Sequence, residues 1–315
     1  MKPVNRRQFL QQGTALGAAA TLPLSVQAQQ TMPTGDIVKR YIPGTHEALP
    51  VVSLGAAPIF INYPDEGKSL SHEVLGNFIQ SGGRVCDTPT FFRPNDPVFG
   101  EIMTEMGGLQ DDLFLITKIA TSGKEGGIAH LERSLNYIGK DPIDAALVHN
   151  MNDMPNNWPT LKQYKEEGRA RYIGVSLTRQ TDYTALKDFM TAERPDIVMT
   201  GYSITQQGPE EQGVLALAQD LGIAVLGVEP FKAIDDGAFF SMVSGVEIPD
   251  FAREYGIESW AQYSLKWILS HPALTSVVME TSTPRYVFDN MHAAYGEYPD
   301  QETRQRMSDF LLDLA

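Results

Sequence analysis

Residues 113–149 read LFLITKIATSGKEGGIAHLERSLNYIGKDPIDAALVH. The stretch opens on an apolar, β-branched-rich run, Leu113–Ile119, and closes on another, Ile143–His149. Short runs of this kind read as strands buried on both faces. Between them Ile128, Leu131, Leu135 and Ile138 recur at helical spacing, and Gly139 supplies the stop that a helix C-terminus favours. Strand, amphipathic helix and strand in so short a span is the sequence form of two parallel strands joined by a crossover helix.

Outward from that unit the pattern repeats. Val51–Leu54, Arg84–Asp87, Tyr172–Leu177, Ile197–Tyr202, Ala224–Val228 and Ser276–Met279 bring the strand-like runs to eight. Helical faces lie between them: Leu70, Val74, Leu75, Phe78 and Ile79; Tyr183, Leu186, Phe189 and Met190; Trp260, Ser264, Trp267 and Ile268. Eight βα units in about 250 residues predict an α/β fold, the (β/α)8 TIM barrel. A doubly wound sheet would carry a glycine-rich dinucleotide fingerprint after its first strand, and Gly55-Ala56-Ala57-Pro58 is not one. Pro43-Gly44, between β-prone flanks, predicts a short N-terminal β-hairpin closing the barrel bottom. The long connection over 229–256 is expected to cover the ligand, as loops on the C-terminal side of a barrel do.

The first 28 residues stand apart. Lys2, Arg6 and Arg7 precede a mildly apolar stretch from Gly13 to Leu24, then Val26-Gln27-Ala28, which predicts cleavage after Ala28. Asn5-Arg6-Arg7-Gln8-Phe9-Leu10 resembles a bacterial twin-arginine (Tat) signal, with Gln11 where lysine is often found. The expected organisation is a signal peptide over 1–28, an N-terminal segment over 29–48 and the barrel over 49–315. Export of the folded chain by the Tat translocase to the periplasm follows, with no membrane segment in the mature protein. Composition narrows the function classes further. The chain has 315 residues and a net charge of -14, and no basic stripe, which excludes nucleic acid as a partner. A single cysteine, Cys86, excludes an intrachain disulfide and a CxxC zinc site.

In a barrel the strand ends face the site. The second run ends at Asp87, the third at Lys118 and the fourth at His149. An Asp–Lys pair there would project the lysine's field into the mouth, and a histidine beside it could hydrogen-bond a substrate carbonyl. Taken singly, each has a structural explanation, as a rim ion pair or a core histidine. Their coincidence on three neighbouring strand ends points to chemistry.

These residues carry a resemblance. Cys86-Asp87-Thr88, Leu115–Lys118, Ala145–His149, Gly168–Ser176 (GRARYIGVS) and Ser259–Ser282 resemble the aldo-keto reductase family, over about Val51 to His292. The resemblance implies a (β/α)8 barrel and NADPH-dependent reduction of an aldehyde or ketone by an Asp, Tyr, Lys and His tetrad. In that tetrad the tyrosine protonates the carbonyl oxygen, the paired lysine lowers its pKa, and the histidine orients the carbonyl. Asp87, Lys118 and His149 match three members. The tyrosine position, five residues after the aspartate, is Phe92. A phenyl ring has no proton to give, and removing a positioned acid costs ~10²–10⁴ in rate. A protonated His149, or Tyr202 reaching in from the sixth strand, would be the substitute acid.

The resemblance also implies cofactor-binding positions. Ser176 matches, followed by Leu177 where an asparagine is usual. Met199 stands at the carboxamide-holding position, and Val228, followed by Glu229-Pro230-Phe231, at the ring-stacking one. Thr281, Ser282 and Asn290 match the residues around the adenosine 2′-phosphate. Glu280 replaces a glycine or lysine, and Arg285 lies one place early, beside Tyr286. A carboxylate beside a phosphate repels it by ~1 kcal/mol even in water, so NADH would suffer less than NADPH. Phe60, Phe91, Phe92 and Trp158 are candidates to line the pocket. The sequence thus leads to an NAD(P)H-dependent oxidoreductase of a small carbonyl compound with an atypical proton donor. The alternative is a catalytically degenerate barrel serving as a periplasmic binding or scaffold protein. A nicotinamide-free isomerase or lyase using Lys118 and His149 is the weakest of the three.

Overall fold

The computed structural model describes residues 32–33, 35–57, 67–90, 98–178, 182–232 and 239–314, with residues 67 and 68 described as backbone only. The signal-like residues 1–28 lie outside them. Two short strands come first, β1 (Lys39–Tyr41) and β2 (Ala48–Pro50), paired antiparallel around Pro43-Gly44. The predicted hairpin is therefore present. Eight strands follow: β3 (Val52–Gly55), β4 (Val85–Asp87), β5 (Phe114–Ile119), β6 (Ile143–Val148), β7 (Ala170–Leu177), β8 (Ile197–Gly201), β9 (Ala224–Val228) and β10 (Leu274–Glu280). Each pairs in parallel with its neighbour, and β10 closes on β3, which makes the predicted (β/α)8 barrel. The doubly wound alternative is thereby excluded.

Helices fill the crossovers: α1 (Gly67–Gln80), α2 (Val98–Glu105), α3 (Lys124–Ile138), α4 (Met154–Glu166), α5 (Thr184–Glu193), α6 (Gly208–Glu211), α7 (Val214–Leu221), α8 (Phe239–Met242), α9 (Asp250–Arg253), α10 (Trp260–Leu269), α11 (Pro284–His292) and α12 (Gln301–Leu312). Their ends follow local chemistry. Gly139 takes the left-handed conformation after α3 and returns its N–H to the Leu135 carbonyl at 2.8 Å. Ser259 and Asp300 cap α10 and α12 by accepting from the Gln262 and Thr303 N–H groups.

Strand periodicity splits the core in two. Val85, Phe114, Ile116, Ala145, Leu147, Ile197, Met199, Ala224, Leu226, Val228 and Val278 form the barrel interior. Ile42 and Leu49 of the hairpin join that same interior cluster and plug its floor. The alternate residues, Val148, Val175, Val198 and Val225 among them, pack outward on the helices with Phe78, Leu131 and Trp267. Gly174, in the GRARYIGVS stretch, permits the β7–β8 approach: a Cβ there would lie 1.9 Å from the Ile197 carbonyl oxygen. The connection after β9 carries α8 and α9 as described, with 233–238 outside the described residues. Among the described residues no helix is long and apolar enough to cross a membrane.

Candidate active site

Apart from the Ser53–Ser276 hydroxyl pair at 2.6 Å, the barrel interior is mainly apolar until its last layer, where polar side chains appear on successive strands. Asp87 ends β4 and Lys118 lies one residue before the end of β5, both buried, at 8% and 6% exposure. The Lys118 ammonium pairs with the Asp87 carboxylate and also donates to the Thr88 carbonyl at 3.1 Å. Burial pushes the Asp87 carboxyl upward, and Lys118 opposes that shift only in part. The pair is thus a desolvated charge pair at the mouth rather than a solvated rim contact.

His149 follows β6 directly and opens a short 3-10 turn, His149–Met151. Its Nδ1 lies 3.0 Å from Ser176 Oγ on β7, and its Nε2 lies 3.2 Å from Asn150 Nδ2. Asn150 Oδ1 accepts from the Thr178 N–H and hydroxyl, which turns the amide NH2 toward the ring. The ring proton is thereby assigned to Nδ1, donating to a Ser176 oxygen that also accepts the Asn150 N–H at 3.0 Å. Burial first, and the Lys118 charge second, hold the His149 pKa down to about 4. The imidazole is neutral at physiological pH, so the expectation of a protonated His149 serving as the acid is corrected: it can orient a carbonyl but carries no spare proton. Asn150, Met151 and Asp153 all take left-handed backbone, with φ of 49°, 50° and 46°. Such non-glycine conformations cost ~1–2 kcal/mol each and cluster at functional loops. Asparagine after a strand end is a recognised left-handed residue, and Asn150 follows that rule.

Tyr202 is the second correction. It is buried, and its hydroxyl is engaged with Glu210 of α6 and Arg304 of α12, outside the barrel wall. Arg304 also grips Glu210 at 2.6 and 3.0 Å and lies 4.0 Å above the Trp267 ring. Tyr202 serves that network and does not reach the mouth. Trp158 likewise packs edge-on against Phe189 and donates to Glu193, in the helical layer rather than the pocket. Phe92, with Phe60 and Phe91, lies outside the described residues.

The profile of the Aldo/keto reductase family matches residues 52–239, more than half of the chain. The chain belongs to the aldo/keto reductase family. An aldo-keto reductase from Bacillus halodurans in its holo form matches with a TM-score of 0.69 at 18% identity, over 88% of this chain and 96% of that one. A Bombyx mori aldo-keto reductase in complex with NADP gives 0.68 at 20% identity, over 88% and 93%. At these identities the structural likeness speaks for the fold. No curated protein matches the chain.

The other side of this aldo/keto reductase mouth is apolar. Met199 of β8 and Val228 of β9 are buried and point inward. Phe231 follows, packed at a tilt against Phe239 and Phe240 of α8 with centroids 6.2 and 5.2 Å away. Ser176 is buried beside them. Beyond β10, Thr281 Oγ1 accepts from the Thr283 N–H at 3.1 Å, and Ser282 stands between them ahead of the α11 N-terminus. Asn290 is buried on α11, its amide 3.4 Å from the Met279 sulfur. Arg285 folds over Tyr286, 4.8 Å from the ring centroid, and donates to its hydroxyl. Glu280 behaves differently from the sequence expectation. It is the last residue of β10, in register with Gly55, which is in register with Asp87. Its side chain leans over Gly55: a Cβ on that glycine would lie 2.5 Å from Glu280 Cγ and 3.1 Å from Oε1. Among the described residues no His, Cys, Asp and Glu group has a metal-binding arrangement.

Proposed function

We propose that the chain is an NAD(P)H-dependent oxidoreductase that reduces an aldehyde or ketone. The observation that carries this is the buried Asp87–Lys118 pair beside a neutral His149, on adjacent strand ends of a barrel of this family. The residues present suit a dinucleotide at both ends. Met199, Val228 and Phe231 offer a planar ring an apolar floor, and Thr281, Ser282 and the first turn of α11 offer hydroxyls and a favourable helix end to a phosphate. When bound, the reduced nicotinamide supplies the hydride. Lys118 places its ammonium where negative charge develops on the carbonyl oxygen, and Asp87 fixes that ammonium's position. His149 orients the carbonyl by hydrogen bonding, which requires the Asn150 amide to withdraw from Nε2 and the ring proton to move there.

Ser176, Met199, Val228, Phe231, Thr281, Ser282 and Asn290 are the proposed cofactor contacts. Arg285, held on Tyr286, is the only cation on α11, so we assign the phosphate end no strong preference for NADPH over NADH. The twin-arginine-like start supports export of the folded, cofactor-loaded chain to the periplasm, after removal of residues 1–28. The test is a tryptophan-fluorescence titration of residues 29–315 with NADPH and with NADH, followed by carbonyl-dependent oxidation of whichever binds. Saturable binding with turnover is the expected result. Absence of binding up to millimolar concentration would favour the degenerate-barrel reading, for which Phe92 at the tyrosine position is the specific observation.

A further inference from the structure

The missing phenol leaves the reductase without its usual acid, and neither His149 nor Tyr202 can replace it. Among the described residues, Glu280 has the needed position and chemistry. Glu280 ends β10, and strand order places it beside β3, then β4 and β5. The intervening strand presents Gly55 at that level, in register with both Glu280 and Asp87. With no side chain in the way, Glu280 Cγ and Oε1 occupy the space a Gly55 Cβ would face. The carboxyl therefore projects across β3 toward the Asp87–Lys118 pair instead of outward along α11. As the last residue of its strand it keeps a solvent-exposed rim, through which a spent proton can be replaced.

We propose that Glu280 is the proton donor of this reductase, standing in for the phenol that Phe92 lacks; the assignment rests on the oxidoreductase reading above. In the step, the carbonyl carbon receives hydride from the reduced nicotinamide, which is oxidised. The carbonyl π pair becomes the new O–H bond as the Glu280 O–H bond breaks. Glu280 is left as carboxylate and is reprotonated from solvent. Among the described residues, the charged and titratable groups facing it are Asp87 from β4, Glu229 after β9 and Lys118 from β5, with His149 after β6 neutral. Burial and the two carboxylates raise the Glu280 carboxyl above the ordinary range, and Lys118 opposes them less strongly. A carboxylic acid so held keeps its proton closer to neutral pH, as a general acid must.

The direction of pH dependence follows. The donor is present below the raised Glu280 pKa and lost above it, so kcat/KM falls as pH rises through that value. The experiment has two readouts. In the protein without nucleotide, carbon NMR of labelled glutamate carboxyls follows the resonance that disappears in Glu280→Gln. Titration clearly above an ordinary glutamate is expected, and an ordinary titration overturns the proposal. In the holoenzyme, Glu280→Gln is expected to lower kcat ~10²–10⁴-fold with nucleotide binding retained. Phe92→Tyr added to Glu280→Gln is expected to restore turnover and shift its basic limb upward. Nucleotide binding with unchanged kcat in Glu280→Gln overturns the donor assignment alone. Failure of the unsubstituted protein to bind nucleotide or reduce any carbonyl overturns the reductase reading and the assignment with it.

Discussion

Replacing Lys118 with methionine isolates what the buried pair contributes. The methionine keeps most of the stem's packing and removes only the ammonium. Asp87 is then a carboxylate at 8% exposure that has lost the cation opposing its desolvation. Breaking one side of a buried ion pair costs ~3–5 kcal/mol, because the other charge is stranded. Protonation caps that cost. Neutralising a carboxylate of ordinary pKa near 3.9 costs about 1.4 kcal/mol per pH unit, hence about 4 kcal/mol at pH 7 and about 1.5 kcal/mol at pH 5. The sign is fixed by the direction of the shift. A carboxyl whose folded pKa is raised stabilises the fold at low pH, and that stability is lost as pH rises through the folded value. Lys118→Met should therefore lose ~3–4 kcal/mol at pH 7 and less than half of that at pH 5. The double variant Asp87→Asn with Lys118→Met should recover most of the loss, since no charge is left buried. Urea unfolding followed by far-ultraviolet circular dichroism at pH 5, 6 and 7 measures all three chains. A loss below about 1 kcal/mol that does not vary with pH would refute the buried-pair argument. So would a double variant as unstable as the single one.

Three further outcomes are expected of the same fold. Gly174→Ala should cost about 3 kcal/mol and lower the thermal midpoint, because its Cβ would meet the Ile197 carbonyl oxygen at 1.9 Å and the Leu147 side chain at 3.0 Å. His130, buried, accepts the Ala120 N–H through Nδ1, and burial holds its pKa down to about 4. Its contribution is fully present above pH 6.5 and lost as pH falls toward 4, roughly 2–3 kcal/mol after allowing for screening. His130→Asn, which keeps an acceptor and removes the titration, should flatten the acid limb of a stability-against-pH curve. Finally, Asp87 and Glu229 both face the mouth, so a keto acid, whose own carboxylate they repel, should be reduced with lower kcat/KM than a neutral aldehyde of equal size. Equal values in 0.1 M salt and in low salt would count against that field.

The strand runs were legible because barrel strands are buried on both faces, so apolar, β-branched residues concentrate in them. Edges were less legible where pairing, not composition, sets the boundary. β7 begins at Ala170, two residues before the run read from sequence, because Ala170 pairs with Ile143 while Arg171 spans Asp144 and Glu47 through ion pairs. β10 likewise begins at Leu274, beside Val225. The polar trio at the strand ends was legible because position along a barrel strand fixes depth. Tyr202 misled because depth does not fix face. It lies one residue beyond Gly201, so the two-residue period of the strand turns it outward, to Glu210 and Arg304. The lean of Glu280 was invisible for another reason: it depends on an absent side chain at Gly55, 225 residues away in the chain and adjacent only through barrel closure.

Closure also explains why the mouth has two unlike halves. The strands β10, β3, β4 and β5 are contiguous, and their ends carry Glu280, Gly55, Asp87 and Lys118. The strands β8 and β9, which complete the ring on the other side of β10, turn Met199 and Val228 inward. An apolar wall opposite a charged one keeps water from screening the charges, so the Lys118 field acts at a lower effective dielectric than it would on an open surface. A carbonyl lying between the halves meets its donors on the charged one, because Met199 and Val228 offer none. The asymmetry therefore selects the orientation in which Glu280 and Lys118 meet the oxygen, and a polar substitution at Met199 would weaken that selection without touching either residue.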